Sequence, residues 1–317
     1  MTAPDPPPFR IGLLLIDGFA LMSYASVVEP LRAANLLARR PLYDLRLVPA
    51  AGEAAASSVG ALVPGQGRVG EPPAFDLLLV LAGGDPAAFR DARVFAWLRR
   101  ADRLGVTLGG VSGGPVILAR AGLMAGRRLT VHWDHAPALA EIAPSLMIER
   151  SLYVIDRDRV TCAGGTAPMD LMHALIARHH GPRFARQVSD WFLHTDIRPS
   201  GGPQRAGLVE RHGTTNAALL DAIAAMESHV ADPLDLAQLA RFAGVGPRQL
   251  NRLFCERLGA STMGFYRDLR LEKARALLRG SALPMTEIAL ATGFASSAHF
   301  SAAHARRHGV PPSALRK

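Results

Sequence analysis

Short, continuous apolar runs alternate with helical periodicity along the first half of the chain. Residues 9–16 and 76–81 are apolar almost throughout and end at turns that contain glycine, a pattern that predicts strands buried on both faces. Further strands are predicted at residues 43–49 and 106–111. Apolar spacing predicts helices at residues 23–38, 91–104, 115–121, 168–180 and 183–192. Such alternation predicts an α/β domain with a doubly wound parallel sheet.

Helical periodicity continues without strand-like runs from residue 216 onward. Gly244 and Gly293 each interrupt a pair of short apolar-periodic segments, and two short helices around a glycine turn are typical of a helix-turn-helix motif. Ser296 or Ser297 can cap the last helix. The predicted elements are an opening helix at residues 216–229, motifs at about residues 236–258 and 285–308, and a connecting helix at residues 270–278.

A break in periodicity separates the two halves. Residues 198–205 read RPSGGPQR, and a stretch rich in proline and glycine is typical of a linker. We therefore predict an α/β domain at residues 1–197, a linker at residues 198–206 and an all-α domain at residues 207–317. A chain of 317 residues with 49% hydrophobic composition is long enough for two packed domains.

Charge and cysteine content narrow the class of protein. The net charge is +9, and from residue 206 onward 14 Lys and Arg stand against 9 Asp and Glu, which favours a polyanionic partner for the C-terminal domain. The two cysteines, Cys162 and Cys255, lie far apart and outside any metal-ligand spacing. No secretion signal and no run of about 18 apolar residues is present, so we expect a reduced cytoplasmic protein without a membrane span.

The C-terminal motifs carry a family resemblance. Residues 288–301 fit the pattern I-A-x-x-x-G-F-x-S-x-x-H-F-S and residues 309–313 fit G-V-x-P-S; with the duplicated motif they resemble the AraC/XylS family of bacterial transcription regulators. The resemblance implies a homodimer that binds double-stranded promoter DNA at repeated half-sites. It also implies RNA polymerase as a further partner and activation as the mode of action.

The N-terminal half carries a second resemblance. The sequences GGVSGGP at residues 109–115, HW at residues 132–133 and TCAGGTAPMDLM at residues 161–172 resemble the PfpI-like domain of class I glutamine amidotransferase relatives, in the version fused to AraC-type domains (GlxA-like regulators). The resemblance then covers nearly the whole chain. It places Glu29 near the elbow and implies a betaine, carnitine or arginine-like effector. Cysteine is frequent at this elbow, whereas this chain has Ser112.

Glycines on both sides of Ser112 predict a nucleophile elbow, which leaves two functions open. A serine nucleophile needs a general base, and no base is obviously paired with Ser112 in the sequence. We therefore expect a binding site rather than an enzyme, and assign no catalytic residue and no cofactor. The alternative is an amidohydrolase or protease with a DNA-binding tail, for which the candidate bases are Glu29, His132, His135 and Asp170.

As a ligand site, the same residues suit a zwitterion. Glu29 would hold a cationic group, Trp133 would stack on it, and amides from Ser112 to Gly114 would take a carboxylate. The predicted ligand set is Glu29, Ser112, Gly113, Gly114, His132 and Trp133. Each has a structural alternative, such as core packing for Trp133 or an ion pair for Glu29. The alternative for the domain as a whole is a dimerisation scaffold.

His132 and His135 lack a third ligand, so no metal site is predicted. Cys162 is predicted to be a buried apolar residue.

DNA contacts are predicted on the second helix of each motif. In the first motif they are Arg248, Gln249, Asn251 and Arg252, with Leu250, Leu253 and Phe254 inward. In the second they are Ser296, Ser297, His299, Ser301, Arg306 and Arg307. The second motif departs from the family pattern, with Ala302, His304 and Ala305 at positions that are commonly basic, aromatic and basic. We expect His304 and His308 in the core and the first motif to dominate binding.

Overall fold

The computed structural model describes residues 6–205, 207–280 and 283–315. It divides into two units, Met1–Gln204 and Arg205–Lys317. The predicted domains and linker together also contain residues 1–5, 206, 281–282 and 316–317, which lie outside the described residues.

The first unit is an α/β domain. Its strands are β1 (Phe9–Leu15), β2 (Tyr43–Pro49), β3 (Ala54–Ala56), β4 (Leu62–Pro64), β5 (Leu77–Ala82), β6 (Thr107–Ser112), β7 (Arg128–Thr130), β8 (Met147–Glu149), β9 (Tyr153–Asp156) and β10 (Arg159–Cys162). Its helices are α1 (Leu21–Ala38), α2 (Ala92–Arg103), α3 (Gly114–Arg120), α4 (Ala136–Ile142), α5 (Ala167–His180) and α6 (Pro182–Trp191), with a 3-10 helix at Pro86–Ala88.

The main sheet has the strand order β2-β1-β5-β6-β10-β9, and only β9 runs antiparallel to its neighbour. Leu13 and Leu15 of β1 face a core shared with α1, α5 and α6, whereas Leu14 between them faces a core shared with α2 and α3. Adjacent leucines therefore serve opposite faces, which explains the unbroken apolar run. The doubly wound parallel sheet predicted from the sequence is confirmed.

The second unit is helical. Its helices are α7 (Leu208–His212), α8 (Ala217–Ser228), α9 (Leu236–Phe242), α10 (Pro247–Leu258), α11 (Thr262–Gly280), α12 (Met285–Ala291) and α13 (Ser297–His308), with a 3-10 helix at Pro312–Leu315. Helices α9 and α10 form the first helix-turn-helix, and α12 and α13 form the second. The predicted connecting helix is too short: α11 begins eight residues before Arg270, where the side-chain oxygen of Asn251 accepts from the backbone N–H of Thr262 at 3.0 Å. No helix in the described ranges has an apolar stretch long enough to cross a bilayer.

Most of the predicted linker is attached to the first unit. The Arg198 side chain bonds Asp170, Leu152 N donates to Ser200 O at 2.8 Å, and the Gln204 side chain bonds Val131 O. Because hydrogen bonds anchor its beginning, middle and end, the stretch 198–204 is not the free spacer that its composition predicts.

Candidate functional site

Ser112 ends β6 in a sharp turn. Its φ is +59°, in the left-handed region that non-glycine residues rarely adopt, and it is 5% exposed. A Cβ on Gly114, the first residue of α3, would collide with the carbonyl oxygen of Val80. Glycine is therefore required for α3 to start this close to β5. This geometry is the elbow that the glycine pattern predicts.

The Ser112 hydroxyl has no hydrogen-bond partner within the described part of the chain. The backbone of Ser112 is engaged instead, because its carbonyl oxygen accepts from His132 N at 3.2 Å. That bond brings the His132–Trp133 turn to the elbow. An unpartnered hydroxyl held in a strained backbone conformation is available to a bound molecule.

Ser23 is the α1 residue that approaches the elbow. Its Oγ accepts from Gly165 N at 2.8 Å, and a Cβ built on Gly164 would lie 2.7 Å from the Ser112 Cβ and 2.9 Å from the Ser23 Oγ. The sequence did not single out Ser23 or Gly164. They are brought to Ser112 by packing between segments about 50 to 140 residues apart, which no local pattern reveals.

Glu29 is placed differently from the expectation. It lies six residues after Ser23, which on a helix is about 9 Å further along and about 120° around the axis. Its carboxylate accepts from the Arg32 side chain at 2.6 and 3.0 Å, and both side chains are exposed. The structural alternative for Glu29, an ion pair, is therefore what the structure contains, and the elbow receives the Ser23 hydroxyl from α1.

The imidazoles of His132 and His135 are neutral at physiological pH. Burial lowers the pKa of His132, and burial with the neighbouring His132 lowers the pKa of His135 to about 4. Nδ1 of His132 accepts from Asp134 N at 3.3 Å. The Trp133 ring lies 5.2 Å from that of His132 and is 43% exposed, so Trp133 is not a core residue. In the ranges that the structure describes, no three metal-ligating side chains come together.

The elbow amides differ in availability. Gly113 N, which is predicted to take a carboxylate, already donates to Ala82 O at 2.9 Å and closes the turn against β5. The Gly114 N–H has no backbone acceptor among the residues described. Gly114 and the Ser112 hydroxyl are therefore the donors that the elbow offers.

The Asp170 carboxylate is held by hydrogen bonds within the domain. It is fully buried and accepts from His194 Nε2 at 2.9 Å, from Arg198 N at 2.9 Å and from the Arg198 guanidinium at 3.0 and 2.6 Å. Arg198 also donates to Thr166 Oγ1 at 3.0 Å. With four bonds to other groups, Asp170 is not a free base for Ser112.

On α10, the predicted contacts separate into two kinds. Arg248, Gln249 and Arg252 are exposed, and Arg252 pairs at 3.4 Å with exposed Glu256 one turn on, a contact worth only about 0.3–0.5 kcal/mol. Asn251 is half-buried and caps α11. Its oxygen therefore has a structural role that the pattern did not reveal.

On α13, Ser296 is the N-cap, and its Oγ accepts from His299 N at 3.1 Å. The His299 ring packs edge-on against Phe294 at 5.6 Å, and Arg307 pairs with Asp268 at 3.1 Å. Ser297 and Ser301 are half-buried, and Arg306 is exposed.

The core position predicted for His304 is confirmed. The side chain is fully buried, and its Nδ1 donates to Val310 O at 2.9 Å. The His308 ring lies 4.5 Å away and is mostly buried. Neither ring belongs to the exposed face of α13.

Two helix-turn-helix motifs in a basic unit, joined to a doubly wound domain with a glycine elbow, define a DNA-binding transcription regulator. Comparison with known families agrees: residues 10–178 match the DJ-1/PfpI family, and residues 239–317 match a helix-turn-helix domain. The chain belongs to the AraC family of regulators that carry a DJ-1/PfpI domain, the GlxA type.

Full-length relatives and solved structures support the assignment. The chain is 47% identical to the HTH-type transcriptional regulator GlxA of Rhizobium meliloti (strain 1021), over 97% of this chain and 95% of the relative. It is 42% identical to the HTH-type transcriptional regulator CdhR of Pseudomonas aeruginosa, over 95% of this chain and 89% of the relative. An AraC family transcriptional regulator from Pseudomonas putida superposes with a TM-score of 0.54 and 26% identity, covering 58% of this chain and 100% of that structure.

Proposed function

We propose that the N-terminal domain binds a small amine or amino-acid-like effector of the betaine, carnitine or arginine class at the elbow, and that binding controls transcription activation by the helical unit. The observation that carries the proposal is Ser112, a residue that is 5% exposed and held at a left-handed φ, whose hydroxyl makes no hydrogen bond to the described chain. A polar group placed at this cost suits a ligand.

The groups around Ser112 suit a zwitterion. The Ser112 hydroxyl and the Gly114 N–H would donate to a carboxylate, and the half-exposed indole of Trp133 would cover a cationic group. Exposed Asp85 and Asp134 lie near enough to His135 to act on its pKa, and they would supply the negative charge that Glu29 does not bring. Neutral His132 adds no repulsion toward a cation.

The same geometry favours binding without turnover. A serine nucleophile requires a base in hydrogen-bond reach, and in the described residues none of Glu29, His132, His135 or Asp170 bonds the Ser112 hydroxyl. Asp170 and Glu29 are engaged with arginines. The elbow turn itself is the one observation that favours the alternative, an amidohydrolase or protease with a DNA-binding tail.

Residues 198–204 offer a route from the elbow toward the DNA-binding unit. Arg198 bonds Thr166, in the turn that begins at Gly164, and the Gln204 amide donates to Thr130 Oγ1, Val131 O and Ser151 O at 3.0, 3.1 and 2.8 Å. Val131 immediately precedes His132. A molecule at the elbow touches both turns, so it would bias the segment that leads into the helical unit.

For DNA, we propose that α10 is the main recognition helix, through Arg248, Gln249 and Arg252, and that α13 contributes less, through Ser297, Ser301 and Arg306. Arg307, Ser296 and His299 would reach DNA only in addition to the contacts they already make. We further propose a cytoplasmic homodimer on two half-sites that contacts RNA polymerase.

Thermal unfolding of the full chain with glycine betaine, carnitine or arginine at millimolar concentration tests the effector. Trp97, Trp133 and Trp191 are the three tryptophans, so their fluorescence reports the N-terminal domain alone. A ligand present at a hundred times its Kd raises the free energy of unfolding by about 2.7 kcal/mol. Ser112→Ala and Trp133→Phe should reduce the shift, whereas Trp191→Phe, which removes a similarly exposed indole, should keep it. If none of these compounds shifts the wild type, the effector proposal fails, and the alternative of a dimerisation scaffold is favoured.

The enzyme alternative has its own test. Purified protein is assayed for amide and peptide hydrolysis beside its Ser112→Ala variant. Measurable turnover that disappears in the variant would replace the binding proposal, and absence of turnover together with a ligand shift supports it.

A further inference from the structure

The helical unit contains two separate hydrophobic cores. One is built by α8, α9, α10 and the start of α11, around Leu250, Phe254 and Tyr266. The other is built by the end of α11 with α12 and α13, around Phe294 and Phe300. Because the described residues of the two motifs share no common core, the placement of one motif against the other depends on α11 and on the contacts where the two cores meet.

Arg270 lies at that meeting point. Its guanidinium carbon is 5.7 Å from the ring centre of Tyr266 in the first core and 4.6 Å from the ring centre of Phe294 in the second. Its Nη1 donates to the carbonyl oxygen of Gly293, in the turn of the second motif, at 2.9 Å. One side chain therefore contacts an aromatic ring of each core.

Gly293 closes the junction from the other side. Its φ is +72°, and a Cβ there would lie 2.6 Å from Val230 O and would collide with Pro233. Val230 and Pro233 precede the first motif, and the Tyr266 hydroxyl bonds His229 O beside them. The turn of the second motif thus packs directly on the entry to the first.

Both recognition helices are fastened to α11. Asn251 of α10 caps its first residue, Thr262, and Arg270 holds the second motif eight residues later, about 12 Å along the helix. Phe294, under Arg270, also supports the His299 ring on α13. Helix α11 therefore spans the distance between the two recognition helices, and Arg270, in the middle of α11, is the side chain that bonds the turn of the second motif.

Each recognition helix reads a short stretch of base pairs, which we call a DNA block. Two recognition helices on one rigid body can enter the major groove together only if the two DNA blocks are correctly spaced, since one base pair moves a block by about 3.4 Å and about 35° around the duplex. We propose that Arg270 is a positioning residue that sets the spacing between the two DNA blocks read by α10 and α13. It acts through Gly293 and Phe294. The proposal rests on both helices contacting DNA.

Arginine suits this position better than lysine. A planar guanidinium can stack on rings while donating from its edge, whereas an ammonium is a compact charge that cannot do both. Burial lowers the pKa of Arg270, and the nearby Tyr266 opposes that shift. Arg270→Lys should therefore loosen the junction while keeping a positive charge.

The test begins with duplexes that the full-length wild-type protein selects from a random-sequence library. The selected duplex is remade with one base pair inserted or deleted between the two enriched blocks, and affinities are measured by fluorescence anisotropy. Wild type should lose roughly tenfold on both altered duplexes. Arg270→Ala and Arg270→Lys should bind the three duplexes within about threefold of one another, because a loosened second motif can follow the shifted block.

Arg267→Ala is the matched control, since it removes a positive charge from an exposed arginine of the same helix; it should keep the wild-type spacing penalty. If Arg270→Ala does not fold, Arg270→Lys and Gly293→Ala perturb the same junction with the same readout. Arg270 variants that fold, bind more weakly and keep the full penalty would overturn the proposal. Selection of a single block by wild type would instead show that α13 does not read DNA.

Discussion

Nη2 of Arg198 lies 2.6 Å from Oδ2 of Asp170, a carboxylate that is completely buried. The pair joins the start of the interdomain segment to α5, next to the turn that borders the elbow. The Asp170 carboxylate accepts four hydrogen bonds, one from His194, one from the Arg198 backbone and two from the Arg198 side chain. The pair therefore both stabilises the folded N-terminal domain and holds residue 198 in place.

Arg198→Ala should lower the free energy of unfolding of the N-terminal domain by about 3 kcal/mol, because it leaves a buried carboxylate with half of its bonds. Urea unfolding followed by tryptophan fluorescence measures this. Arg186→Ala is the control, since that arginine donates to Thr195 O in an exposed contact, and its loss should cost less than about 1 kcal/mol. Adding Asp170→Asn to Arg198→Ala should recover part of the loss; no recovery would mean that Arg198 acts through packing.

Gln204→Glu should uncouple effector binding from transcription. The carboxylate would face Val131 O and Ser151 O, which now accept from the Gln204 amide, so the end of the segment should detach. We expect the thermal shift with effector to remain, and the effector-dependent change in promoter output to fall by roughly fivefold or more. Gln66→Glu, which keeps the oxygen that accepts from Leu47 N, should respond like wild type. A full response from the Gln204 variant would remove this segment from the route.

The fold could be predicted from sequence where local signals and tertiary packing agree. Strands β1 and β5 were recognisable because both faces are buried, which leaves an unbroken apolar run. The short strands β7 and β8 were missed because three residues carry no period, and α4 was missed as a single short helix. The start of α11 was missed because Asn251 caps it from another helix.

The site was predictable only in part, for a related reason. The glycines on both sides of Ser112 predict a sharp turn from local sequence alone, so the elbow could be found. Ser23, Gly164 and Gln204 reach it or its flanking turns through contacts between distant segments, and nothing in their own neighbourhood marks them. Glu29 is a different case, because it lies on the helix that reaches the elbow, and its carboxylate pairs with Arg32.

Arg252→Ala should weaken DNA binding and, if Arg252 contacts a phosphate, reduce the salt slope of log K by about one unit. Giving up the exposed Glu256 pair costs Arg252 little. Arg257→Ala, near the end of the same helix, is the charge-matched control and should have a smaller effect. Arg306→Ala on α13 should also cost less than Arg252→Ala, and the reverse order would make the second motif the dominant reader.

Acid should destabilise the N-terminal domain through His135. Its pKa is lowered to about 4 by burial, from an ordinary value of 6.5, so the unfolded chain takes up the proton first as pH falls. The stabilisation is complete above about pH 6.5 and is lost progressively toward pH 4, with about 2 kcal/mol gone at pH 5. Urea unfolding at pH 8 and pH 5, followed by tryptophan fluorescence, should show this loss in wild type and a smaller one in His135→Gln. Half-buried His132, whose pKa is also lowered, leaves the variant some acid sensitivity. Equal losses in the two proteins would mean that His135 is protonated without cost in the folded domain.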